Sequence, residues 1–262
     1  MVNNGYMKLC LNTYNLAGKK TLDEITGLCV QSGIGGIEFS IGYGHNHGVE
    51  FDTDTKTLHG MAEKIMSAGL ETVSIASYCR FDAENPQELI RNFELAKKGI
   101  DCAQNLGSKI FRFVGNDLPS FISRSEFVKR VSEYMSRLAD YAGPYGIEVL
   151  LNMHGSFSYR HDMGKLIEIT NKNNCGLVYN CDDSDIIGGS PEIVLDRIGA
   201  YIKHVHLHEL ISAYPYSELF EGLKRRGYKG WYSIVVDEPS SEPQRFISYY
   251  CALARALHKQ GD

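Results

Sequence analysis

Eight strand-like runs alternating with eight helical segments, at a spacing of roughly 30 residues, predict a closed (β/α)8 barrel. The length agrees, since 262 residues suit one such barrel. So does the placement of polar residues, which gather where the strand-like runs end. No linker, low-complexity tract or shift in composition divides the chain, and residues 1–262 read as a single domain. An open sheet of six or seven units is the alternative.

The first strand is predicted over Lys8–Thr13. Thr21 and Glu24 then fit a capping box, with Leu22, Ile25, Leu28 and Cys29 following at helical spacing. Gly33, Gly35 and Gly36 stop that helix and lead into a second strand, Ile37–Ser40. A loop rich in Gly and His follows. The second helix covers Thr55–Ala68 and the third strand Thr72–Ser77. The third helix runs from Gln87 to Leu106, and the fourth strand over Lys109–Val114. The fourth helix runs from Arg124 to Tyr141, broken by Gly143 and Pro144. The fifth strand is Ile147–Met153, its helix Asp162–Asn171, and the sixth strand Cys175–Cys181. Pro191 suits the first helical position, so the sixth helix covers Pro191–Ile198. The seventh strand is Ile202–His208 and its helix Tyr216–Arg226. The eighth strand is Trp231–Val236, and the last helix runs from Glu242 to His258.

Composition excludes several classes. The chain is 43% hydrophobic and 23% charged with a net charge of -5, and no basic stripe supports a nucleic-acid partner. The seven cysteines are odd in number, contain no C-x-x-C pair and lie mostly in apolar runs, as expected of reduced core thiols in a cytoplasmic protein. The N-terminus lacks the apolar stretch of a signal peptide. No window approaches the roughly 18 apolar residues of a membrane span.

A barrel of this type builds its site at the carboxyl ends of its strands. Those ends carry Glu38, with His45 and His47 in its loop; Ser77 and Tyr78; Arg112 and Asn116; Asn152 and His154; Asn180, Asp182 and Asp183; His204, His206, His208 and Glu209; and Asp237 and Glu238. Alternation puts His204, His206 and His208 on one face, opposite Val205 and Leu207, and therefore inward. Arg112 sits mid-strand between Phe111 and Phe113, where a guanidinium needs an anion: either Glu38 or a ligand. The Gly44–Gly48 stretch is expected to be a flexible loop rather than a metal site.

At Gly36-Ile37-Glu38, Ile147–Gly155, Cys175–Asp183, His204–Glu209 and Gly227–Trp231 the chain resembles the xylose-isomerase-like TIM barrels, which include sugar and sugar-phosphate isomerases and epimerases and the endonuclease IV branch. The resemblance implies one divalent metal held by Glu on strand 5, Asp on strand 6, His on strand 7 and Glu on strand 8, with flanking carboxylates that move a proton between carbons. By position, the strand-7 His is His206. Strand 5 carries Asn152 in place of Glu but keeps His154. Strand 6 carries Asn180, and strand 8 carries Val235 unless a shift brings Asp237 or Glu238 into place. A set of amides and one imidazole holds Mg²⁺ or Mn²⁺ poorly. The resemblance therefore implies the fold and a sugar-like ligand more strongly than it implies the reaction.

The expectation is a sugar or sugar-phosphate isomerase or epimerase that moves a proton α to a carbonyl, with an altered or absent metal site. Its acid–base candidates are His206, His154, Asp237 and Glu38. Its substrate-binding candidates are Arg112, Asn152, Asn180, Asp183, His208 and Glu209. Any Mn, Mg or Zn ion would be weakly bound, by Asn152, Asn180, His206 and Asp237. Alternatives are a non-catalytic carbohydrate- or small-acid-binding protein on the same barrel, and a lyase or dehydratase of the same superfamily. Endonuclease chemistry is disfavoured, because the strand-6 His of its zinc cluster is Asp183 here. A homo-oligomer fits the resemblance, though no interface can be read from the sequence.

Overall fold

Helix boundaries here are set by local chemistry. Thr21 caps the first helix and Glu24 reaches back to the Thr21 N–H at 2.7 Å, completing the capping box. Gly33 ends that helix at φ 65°, a left-handed conformation in which a Cβ would be strained. Ser123 and Glu126 form a second capping box, Asp54 caps another helix, and Asn85 with Pro86 opens a fourth.

The computed structural model describes residues 7–115, 117–157, 160–236 and 241–259. In order these form β1 (Leu9–Asn12), α1 (Leu22–Ser32), β2 (Gly36–Ile41), α2 (Thr55–Ser67), β3 (Glu71–Ser77), α3 (Pro86–Asn105), β4 (Ile110–Val114) and α4 (Arg124–Ala142). They continue with β5 (Glu148–Asn152), α5 (Arg160–Thr170), β6 (Cys175–Tyr179), α6 (Glu192–Ile198), β7 (Ile202–Leu207), α7 (Tyr216–Arg225), β8 (Trp231–Ile234) and α8 (Pro243–Lys259). Each predicted element is present, and the ends move by a residue or two. Strands 5, 6 and 8 stop earlier than predicted, because their last residues leave the ladder at the mouth. Pro191 sits at the N-cap of α6 rather than at its first helical position.

All strand pairs are parallel, and β8 pairs back to β1 with Leu9 opposite Tyr232, so the sheet closes and the open-sheet alternative falls. Alternation divides the strands between two environments. Phe111, Phe113, Leu151, Leu177, Tyr179, Val205 and Leu207 face outward into the main core beneath the helices, each fully buried. A buried side chain of this size contributes about 1.5–3 kcal/mol. The residues between them face the lumen, where Ile110, Leu150 and Val178 form a small apolar cluster of their own. Above that cluster the lumen turns polar. All seven cysteines are buried and none forms a disulfide. No helix among the described residues is long and apolar enough to cross a membrane.

Candidate functional site

Glu38, from β2, lies at the centre of the lumen, fully buried. The Ser233 hydroxyl of β8 donates to it at 2.5 Å. The Nε2 atoms of His204 and His206 on β7 stand 3.4 and 3.2 Å from its Oε2. The Arg112 guanidinium of β4 makes an ion pair with it at 3.6 Å and donates to the Ser77 carbonyl at 3.2 Å. The anion that a buried Arg112 requires is therefore Glu38. Burial alone would raise the Glu38 pKa, but His206 and His204, through charge and hydrogen bonds, hold it well below the usual carboxylate range. Burial pushes the His206 imidazole down to about 4, against the pull of Glu38.

His206 links this cluster to the mouth. Its Nδ1 faces the Asn180 side-chain oxygen at 3.1 Å, and the Asn180 amide donates in turn to Asp182 at 3.0 Å. Cys181, between those two residues, adopts a left-handed φ of 57°, which turns the chain so that Asn180 and Asp182 can meet. Both ring nitrogens of His206 are thus engaged within the protein.

Over this cluster opens a cavity of about 320 Å³, floored by Asn12, Arg112, Asn152, Asn180, His206 and Val235. His154 and His208 stand on its wall, and Tyr14, Tyr43, Tyr78 and Arg80 form its rim. The Asn12 side-chain oxygen accepts from the Tyr14 N–H at 2.8 Å and the Ser40 hydroxyl at 3.1 Å. That fixes its amide nitrogen, which is buried without a protein partner, as is the side-chain oxygen of Asn152. His208 is held from both sides of its backbone: its N–H donates to the Tyr216 hydroxyl at 3.3 Å, and its carbonyl accepts from Tyr250.

The structure brings together Glu38, Arg112, Asn152, His154, Asn180, His206 and His208 from the predicted set. Asp183 and Glu209 are exposed and do not line the cavity; the Glu209 carboxylate instead accepts from the Ile211 N–H at 3.2 Å. Asp237, like Glu238 and Asn116, lies outside the described residues. Val235 lines the cavity at the strand-8 position. The His-rich loop is not free-standing, because buried His47 faces the Thr13 hydroxyl at 3.2 Å and accepts from the Val49 N–H at 3.1 Å. Burial, with the neighbouring His45, lowers the His47 pKa to about 4, so it serves as a neutral pin. Sequence reasoning missed Asn12 and Ser233, although both lie in phase on their strands. It missed Tyr43 and Arg80 because loop residues carry no periodicity.

Solved structures share this architecture, sugar epimerases among them. The 3-keto-D-glucoside 4-epimerase of E. coli matches with a TM-score of 0.77 at 15% identity, covering 96% of this chain and 100% of that one. An L-ribulose 3-epimerase matches with a TM-score of 0.77 at 17% identity, over 98% and 94% of the two chains. An IOLI protein with a bound zinc atom matches with a TM-score of 0.72 at 19% identity, over 97% and 96%. No curated protein matches the chain by sequence. Residues 27–247 match the model of the xylose isomerase-like TIM barrel, and the chain belongs to that family.

Proposed function

We propose that this protein is a sugar isomerase or epimerase that moves a proton α to a carbonyl, and that it does so at the barrel mouth without the carboxylate-bound metal of its relatives. The carrying observation is the polar lining of the cavity, in which the side chains of Asn12, Asn152, Asn180, His154 and His208 stand beside the Arg112 guanidinium. Buried polar atoms left unpaired cost about 1–3 kcal/mol each. A polyhydroxyl ligand presents donors and acceptors that match such a lining.

Among the described residues, the donor set argues against a hard dication. The strand-end positions present two neutral amides, one imidazole already engaged at both nitrogens, and the apolar Val235. Among the described residues, Glu38, His204 and His206 do place their ligand atoms within 4.8 Å of one another. That trio already faces the Arg112 guanidinium and the Ser233 hydroxyl, so an added cation would meet a like charge in a buried lumen.

In this reading Arg112 supplies the positive charge. His154 or His208 removes the proton from the carbon α to the substrate carbonyl. The C–H electron pair becomes the carbon–carbon double bond while the carbonyl π pair moves onto oxygen, giving an enediolate whose charge Arg112 stabilises. Reprotonation at the same carbon from the opposite face gives an epimer; reprotonation at the former carbonyl carbon, with the α-hydroxyl proton passing to the former carbonyl oxygen, gives an isomer. Glu38 and His206 position Arg112 and Asn180.

The test is a panel of aldoses, ketoses and their phosphates incubated in D₂O and followed by NMR. The expected result is deuterium entering one α position, at the same rate with a chelator as with added Mn²⁺. Exchange that disappears with the chelator and returns with metal would restore the family's metal-dependent route. A second reading, a sugar-binding protein without turnover, is favoured by Asn152 standing where relatives carry a basic Glu. Tight binding with no exchange would establish it.

A further inference from the structure

A second groove, of about 760 Å³, adjoins the mouth cavity at Tyr43, Tyr78 and Arg80 and runs along the first turns of α3. Those three side chains line both spaces. The inner cavity lies near the small end of ligand pockets, which run roughly 300–1,000 Å³, and is suited to one saccharide ring. The groove offers room that a single ring would not use.

The chemistry of the groove selects among occupants. Tyr43 and Tyr78 meet edge to face at 5.8 Å, and Tyr43 is 44% exposed, so an aromatic surface stands open at the junction. Beyond it, Gln87 and Arg91 on α3 present exposed amide and guanidinium donors, with the Glu88 carboxylate beside them as acceptor. A phosphate is poorly served. Arg80 is already paired with Asp82 at 3.2 Å, and the Glu88 carboxylate, three positions before Arg91, offsets that guanidinium's charge. The start of α3 has no spare donors for an anion either. Pro86 has no N–H, the Gln87 N–H is taken by the Asn85 side chain at 2.9 Å, and the Glu88 N–H by the Asn85 carbonyl at 3.1 Å. A neutral, hydroxyl-rich unit fits this mixture of aromatic faces, donors and acceptors.

Resting on the assignment of the mouth as a sugar site, we propose that the substrate is a glycoside. Its reacting ring occupies the inner cavity, and its second saccharide unit passes the Tyr43–Tyr78 junction and lies against Gln87 and Arg91. The chain is then an enzyme of oligosaccharide or glycoside processing, placed before or after a reaction that makes or breaks a glycosidic bond.

Calorimetry with matched probes tests this: glucose, galactose, xylose and fructose, their 6- or 5-phosphates, and disaccharides carrying each of them at one end. At least one disaccharide is expected to bind about tenfold more tightly than its parent monosaccharide, a difference of about 1.4 kcal/mol. The double substitution Gln87→Ala with Arg91→Ala, at exposed helix positions whose folding is checked by Tm, is expected to erase most of that ratio. Disaccharides that gain nothing over monosaccharides, a gain that survives the double substitution, or a sugar phosphate that outcompetes every disaccharide would each overturn the glycoside assignment while leaving the sugar site standing. Failure of every saccharide to bind would overturn both.

Discussion

Glu38 is the residue on which the lumen depends. It is the only acidic side chain that the described residues bring into contact with Arg112, His204, His206 and Ser233 together. Replacing it by Gln keeps the shape but removes the charge, leaving a buried guanidinium uncompensated. Glu38→Gln is expected to destabilise the fold by about 3–5 kcal/mol, read by urea denaturation, and a change below 1 kcal/mol would show that Arg112 has another counter-ion. Asp185 carries the opposite electrostatic signature. Burial raises its pKa from the ordinary 3.8 to about 7. The folded chain therefore holds a proton between those values that the unfolded chain has released, and stability falls as pH rises through that window, by up to about 4 kcal/mol. Asp185→Asn still presents an acceptor to the Asp182 N–H. It is expected to flatten the decline in Tm between pH 4 and 7 and to be more stable than the parent at pH 8.

At the scale of elements, helix starts were readable because capping is local chemistry. The Thr21–Glu24 box lies within four consecutive residues, and no tertiary contact is needed to recognise it. Thr21→Ala is expected to cost about 1 kcal/mol in denaturant unfolding. Other elements fit for reasons that no local pattern carries. Gly99 lies mid-helix in α3, where propensity disfavours it, and a Cβ there would stand 2.4 Å from the Phe111 ring of β4. Gly99→Ala is therefore expected to destabilise by about 1–3 kcal/mol, against the gain that Ala brings to an exposed helix. The strand runs were legible in the same uneven way. Alternation correctly turned the three β7 histidines inward, yet it could not say that His206 would be consumed by Glu38 and Asn180 while His208 reached the cavity wall. The partners of His206 lie 26 and 168 positions away in sequence.

The whole molecule decides what the strand ends amount to. Barrel closure brings Asn152, Asn180, His206 and Val235 from four strands to one floor. Introducing acidic residues by Asn152→Glu, Asn180→Asp and Val235→Glu together is expected to raise Mn²⁺ affinity on the order of 100-fold by calorimetry, since ligand charge sets affinity for hard cations. No gain would mean that the geometry of the floor does not suit a metal ion. The sequence by itself determined the eightfold alternation, the helix caps, the inward faces of the strands and the family motifs, because each is encoded in residues a few positions apart. Only the tertiary structure decided that Glu38 neutralises Arg112, that Asp183 and Glu209 stay outside the cavity, and that loop residues Tyr43 and Arg80 line both the cavity and the neighbouring groove. Those outcomes rest on distances between residues far apart in the chain, and they are set only when β8 closes on β1.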